Sequence, residues 1–178
     1  MCFLAPCLTT AGRPAEALDH LEKGLKLCDQ LDFLVCRPTL LGFVAEASTA
    51  CERLDDAEHA ITEALATAER TQERGMVAWL WGSRARIAIA RGDRDEAAEA
   101  YARAIGVARE QGSKMLELRA ATGLAGVWCE LARMSQAREL LAPIYRGFTE
   151  GLDEPDLVDA ASVLRQLEEP QFGGVPGR

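Results

Sequence analysis

The residues with which this sequence could do chemistry are two histidines, six cysteines and a few adjacent carboxylates. A zinc site asks for thiolates and imidazoles at short ligand spacings such as C-x-x-C or H-E-x-x-H. Cys2, Cys7, Cys28, Cys36, Cys51 and Cys129 form no C-x-x-C pair, and neither His20 nor His59 is followed by glutamate. General acid–base work needs groups that converge on a substrate. The pairs Asp55/Asp56, Asp95/Glu96 and Glu168/Glu169 instead fall at expected helix starts and ends, where the macrodipole and hydration account for them. No Ser-His-Asp or Cys-His arrangement is recognisable. Gly112-Ser113-Lys114 lacks the upstream glycine and strand of a phosphate-cradling loop. These residues nominate no catalytic group, no cofactor and no metal, so the expectation is a protein that is not an enzyme.

Composition narrows the class further. The 178 residues are 48% hydrophobic and 27% charged, enough apolar side chain for one domain with a real core. A net charge of −8 argues against nucleic acid, because phosphate binding needs a concentrated basic face. Arg84, Arg86 and Arg91 come nearest to one, and Asp95, Glu96 and Glu99 follow at once. The apolar opening has no basic n-region and is too short for a signal peptide, and no run of apolar residues could span a membrane. A cytoplasmic location and reduced thiols filling small core slots are the corresponding expectations.

What must position any functional side chain is a repeat. Ala97-x3-Tyr101-x2-Ala104 follows a small, large, small pattern; 40 residues earlier it reads Ala57-x3-Ile61-x2-Ala64 and 40 earlier again Ala17-x3-Leu21-x2-Gly24. One step forward gives Ala137-x3-Leu141-x2-Ile144, without the last small residue. Twelve residues before these alanines stand Ala5, Ala45, Ala85 and Ala125, and four earlier again Leu41, Trp81 and Ala121. Two antiparallel helices approach closely only where small side chains meet at the crossing, and the large residues then fill the grooves to neighbouring helices.

Helices are expected near 14–30, 38–53, 55–72, 75–91, 94–111, 114–132, 135–149 and 155–168, with a short stretch broken by Pro6 in front and a flexible Gly/Pro-rich tail over 169–178. Gly12 and Gly92 suit left-handed helix ends; Glu52 and Ala132 at the equivalent places imply turns that close differently. Asp93 and Ser135 are candidate N-caps, and Pro143 should kink its helix.

The unit Trp81-x3-Ala85-x11-Ala97-x3-Tyr101-x2-Ala104 resembles the tetratricopeptide repeat, although the 40-residue period exceeds that family's usual length of about 34. The resemblance implies an all-α fold over residues 1–168: a right-handed superhelical stack of antiparallel helix hairpins, its first unit incomplete, closed by a C-terminal capping helix. The chain then looks like the last three and a half units of something longer. The stretch Ala137-Arg138-Glu139-Leu140-Leu141-Ala142-Pro143-Ile144-Tyr145, continuing to Leu157, is similar to the end of repeat arrays in bacterial multidomain signalling ATPases, which are often fused to cyclase or transcription-regulator domains. Their nucleotide chemistry does not carry over.

In the tetratricopeptide family the concave face is lined by first-helix positions, held here by Thr39, Glu46, Thr49, Trp79, Arg86, Arg119 and Thr122. Trp81 falls at an inward position and is expected in the core; Trp79, with Arg86 and Arg119, has the composition of an interaction hot spot, or makes a contact between units. The leading expectation is a protein-interaction or sensory arm of a bacterial signalling or regulatory protein, taking a protein or peptide partner. A small-ligand (inducer) sensing domain of a signalling ATPase and a truncated fragment without independent activity are the alternatives. The incomplete N-terminal end also offers a route to self-association.

Overall fold

A computed structural model describes residues 4–32 and 34–168. Among these residues are nine α-helices and no strand: α1 Leu4–Thr10, α2 Pro14–Gln30, α3 Arg37–Ala50, α4 Leu54–Thr71, α5 Val77–Arg91, α6 Arg94–Glu110, α7 Lys114–Glu130, α8 Met134–Arg146 and α9 Pro155–Glu168. They form four consecutive hairpins, α1/α2 to α7/α8, with α9 laid against α7 and α8. The chain is all-α, as the repeat implies. The expected tail over 169–178 lies outside the described residues.

The small-residue register is what closes each hairpin. Ala5, Ala45, Ala85 and Ala125 on the first helices and Ala17, Ala57, Ala97 and Ala137 on the second are all at most 1% exposed. Leu21, Ile61, Tyr101 and Leu141 are buried beside them. The core is accordingly a row of three clusters, one across α1–α3, one across α3–α5 and one across α5–α9, as expected where each unit meets only its neighbours.

The turns inside the hairpins are all of one kind, which corrects one expectation. Gly12 and Gly92 are left-handed, but so are Glu52 (φ 59°) and Ala132 (φ 57°). The residue after each donates its N–H five residues back: Arg13 to Leu8, Arg53 to Ser48, Asp93 to Ala88 and Arg133 to Trp128, at 2.7–2.9 Å. This bond pattern captures carbonyls that the helix end would leave bare, and it holds non-glycine residues in a conformation that costs about 1–2 kcal/mol. Tertiary packing sets the turn, and glycine merely makes it cheaper.

Three further expectations give way. Pro6 does not break α1; it sits in the first turn, where a missing N–H is harmless. Ser135 lies inside α8, whose N-cap is Arg133, whereas Asp93 does cap α6 by accepting from the Glu96 N–H at 2.9 Å. The core-slot expectation fails for Cys7, which is exposed, whereas Cys28 is buried and Cys36, Cys51 and Cys129 are half-buried against the core; Cys2 lies outside the described residues. Cys28 and Cys36 place their sulfurs 3.5 Å apart across the α2–α3 connector, and burial, then the hydrogen bond shared with Cys28, pushes the Cys36 thiol up. Pro143 is carried within a continuous α8.

Candidate partner-binding groove

The first helices α3, α5 and α7 lie side by side, with α3 touching α5 and α5 touching α7. Glycine sets how close α3 and α5 come. A Cβ on Gly42 would stand 2.4 Å from Trp79 Cζ3 and 2.7 Å from Leu80 Cδ2, so the Trp79 ring packs directly over bare backbone. Phe43 flanks that ring with a centroid separation of 5.0 Å at 60°. The Trp79 Nε1–H donates to Glu46 Oε1 at 3.1 Å, and the Ser83 hydroxyl donates to the same oxygen at 3.1 Å. Arg86 also donates to Glu46, and it reaches Ser83 Oγ at 3.0 Å. One carboxylate on α3 thus gathers three donors from α5.

On the other side of α5, Trp79, Arg86 and Arg119 converge. Together with Tyr101 they line a small cleft of about 50 Å³ that is floored by Ala78, Gly82 and Ala120. Arg119 is held by Asp156 of α9, which accepts from its Nε through both carboxylate oxygens at 2.7 Å. That bond, more than the surrounding charge, holds the guanidinium still more firmly protonated than usual. Tyr101 comes up from α6, and burial pushes its phenol up while the Arg86 charge opposes the shift. Each arginine keeps about half of its side chain in solvent, 48% for Arg86 and 54% for Arg119.

Of the residues nominated for the groove, then, Trp79, Arg86 and Arg119 share the cleft and Glu46 anchors two of its walls. Thr49 and Thr122 are half-buried, and their hydroxyls donate to Ala45 O and Leu118 O of their own helices, which leaves them backbone-bonded. Thr39 is half-buried on α3 and does not line the cleft. Trp79 makes the foreseen contact between units and also borders the cleft. Trp81 packs against the core as expected but stays half-buried, with Arg84 and Arg103 at 5.7 and 4.8 Å from its ring. Ser83, Asp156 and Tyr101 are groove residues that the sequence reading did not place there.

Among the described residues no group of three or more His, Cys, Asp or Glu side chains is arranged to hold a metal. No helix among them is long and apolar enough to cross a membrane.

No protein-family model matches the sequence, and no curated protein matches it. Solved structures do match. A kinesin light chain of Podosopora anserina with nearly identical TPR-like repeats superposes with a TM-score of 0.73 at 18% identity, over 93% of this chain and 82% of that one. The fold is a TPR-like repeat array. A Rap protein complexed with competence and sporulation factor gives a TM-score of 0.74 at 16% identity, covering 92% of this chain and 44% of the Rap protein. BtubC (BKLC) from P. vanneervenii gives 0.71 at 19% identity, covering 86% of this array and 63% of that chain. Identities this low speak to the fold.

Proposed function

We propose that the chain is a protein-interaction arm whose concave row of first helices takes a peptide or protein segment, anchored at Trp79, Arg86 and Arg119. The observation that carries this reading is the convergence of one aromatic plate and two half-exposed guanidiniums on a single cleft. Partly desolvated tryptophan and arginine are the side chains that concentrate binding energy at interfaces. Planar cations beside a ring suit an acidic or aromatic-bearing segment. At about 50 Å³ the cleft fits a side chain and is too small for a metabolite, for which several hundred Å³ are usual. That disfavours an inducer in this groove. The solved Rap protein is described as a complex with competence and sporulation factor, which is a precedent for this fold holding a partner.

The test is selection from a displayed library of random peptides, followed by calorimetry on the winners. Trp79→Ala and Arg119→Ala should each weaken binding by at least about tenfold, an ordinary hot-spot loss. Glu99→Ala, on the exposed side of α6, should leave it unchanged. If the Glu99 variant loses as much as the other two while all remain folded, the groove is the wrong surface.

The resemblance of residues 137–157 to the ends of bacterial signalling arrays supports a finer reading, an arm of a signalling or regulatory protein. An in-frame nucleotide-binding segment upstream in the coding sequence is the observation that tests it.

A further inference from the structure

Equivalent positions in a repeat face the same packing problem, so a departure in one unit asks for a reason. Where a second helix gives way to the next first helix, two units carry Ala68 with Met76 and Ala108 with Leu116. One period before Ala68 and Met76 (68 − 28 = 76 − 36 = 40) stand Cys28 and Cys36. Both alanines are buried, and so is Cys28. Cys36, Met76 and Leu116 are half-buried. Where its other units place an alanine beside a large apolar residue, the first places two thiols, one shut in and one within reach of solvent.

Their geometry is close to that of a bond. The two sulfurs stand 3.5 Å apart. A disulfide needs about 2.0 Å, so about 1.5 Å remains to be closed. Partial rotation about one Cα–Cβ bond moves a sulfur that far. Cys28 lies in the last turn of α2 and Cys36 is the N-cap of α3, so the connector between them can adjust without breaking either helix. Burial, then the hydrogen bond shared with Cys28, raises the Cys36 thiol and slows its attack on an oxidant. Where the exchange comes to rest depends instead on how near the second sulfur is held.

We infer that Cys28 and Cys36 are a reversible redox site, bridged by exchange with a small disulfide such as oxidised glutathione. The Cys36 thiolate attacks one sulfur of that disulfide and expels the other as a thiolate, leaving a mixed disulfide on Cys36. Cys28 then loses its proton and attacks Cys36 Sγ, which expels the second small thiolate. Two protein thiols give up two electrons and two protons, and one small disulfide becomes two thiols. The bridge ties the end of α2 to the start of α3, the helix on which Trp79 is seated.

The experiment equilibrates the full chain, native and in urea, with anaerobic mixtures of reduced and oxidised glutathione, then blocks the remaining thiols and maps fragments by mass. Cleavage before each aspartate leaves Cys28 in fragment 19–28 and Cys36 in fragment 32–54, so a bridge holds the two fragments together. They should become joined without retained glutathione on either, and part again in excess reduced glutathione. Cys51→Ser, in which Cys36 is the only thiol of its fragment, should bridge as the parent does. The native chain should need at least about tenfold less oxidised glutathione than the chain in urea, because the fold already holds the sulfurs together. By the same linkage the bridged chain should melt above the reduced one. Cys28→Ser should stop at the mixed disulfide and keep glutathione on Cys36; should that variant not fold, the parent and Cys51→Ser decide. Glutathione held on Cys36 of the parent without a bridge, loss of the bridge in Cys51→Ser, no bridge at all, or an equal need for oxidant in urea overturns the inference.

Discussion

Replacing Gly42 by alanine should destabilise the array, while the same change at Gly82, one repeat later, should stabilise it. At Gly42 the added Cβ would stand 2.4 Å from Trp79 Cζ3, 2.5 Å from Cη2 and 2.7 Å from Leu80 Cδ2. Carbon–carbon contacts settle near 3.5 Å, so the ring must withdraw by roughly 3.5 − 2.4 = 1.1 Å. It has little room to do so. Phe43 lies against it, its Nε1 is tied to Glu46, and Leu80 is fully buried. Overpacking of this kind costs about 1–3 kcal/mol, and removing a mid-helix glycine returns about 0.5–1 kcal/mol. The net for Gly42→Ala is a loss of about 0–2.5 kcal/mol. At Gly82 the nearest atom to the new methyl is Arg86 Nη1 at 4.0 Å, so only the helix gain of about 0.5–1 kcal/mol remains.

Urea titrations followed by far-UV circular dichroism measure both. In a chain of this size each kcal/mol moves the melting temperature by about 2–4 °C, so the two variants should fall on opposite sides of the parent. Should Gly42→Ala melt level with Gly82→Ala, Trp79 is not seated on α3, and the Glu46 network that depends on that seat fails with it.

The remaining expectations concern the hairpin register and the turns. Ala97→Leu should overpack the α5/α6 crossing by about 1–3 kcal/mol, and Tyr101→Ala should cost about 3–5 kcal/mol by truncating a buried aromatic; thermal melts in which neither variant moves would refute the register. Ala132→Gly should raise stability by up to about 1 kcal/mol in the same melts, because it relieves a left-handed alanine at φ 57°. Burial raises the Tyr101 phenol above its ordinary 10.0, so above about pH 10 the native chain binds more protons than the unfolded one and loses stability as pH rises towards the native pKa. Urea midpoints at about pH 8 and about pH 11 should show a smaller alkaline loss in Tyr101→Phe than in the parent, and an equal loss would show that the phenol titrates no differently when folded.

The fold was legible because one constraint is imposed four times. An alanine at a helix crossing is a weak sign, but alanines at 17, 57, 97 and 137 with a large residue four places on repeat one packing requirement, and all four are buried. The turns were legible only where glycine announced them. Glu52 and Ala132 take the same left-handed conformation with no local signal, since the energy that holds them there comes from the two helices they join. Trp81 was legible only in part: its inward position does put the ring against the core, but the pattern does not show that Arg84 and Arg103, on its own and the next helix, meet the ring as well.

The groove was half legible, and the missing half has a regular geometry. Stacking equal units suggests that residues one period apart become neighbours, and Trp79 and Arg119, 40 apart, do share a cleft. Most polar bonds between units run shorter than the period. Arg119 to Asp156 and Ser83 to Glu46 span 37 residues, and Arg91 to Asp55 and Arg94 to Glu130 span 36. The shortfall is close to one helical turn of 3.6 residues. Adjacent units therefore meet in a stagger, and Arg119 and Ser83 find their partners one period less one turn away along the chain, while Arg86 meets Glu46 a full period away. Searching at that offset would have paired Arg119 with Asp156 from the sequence alone. That pair fastens α9 to α7, so an acidic partner at Arg119 competes with the bond that holds the last helix in place.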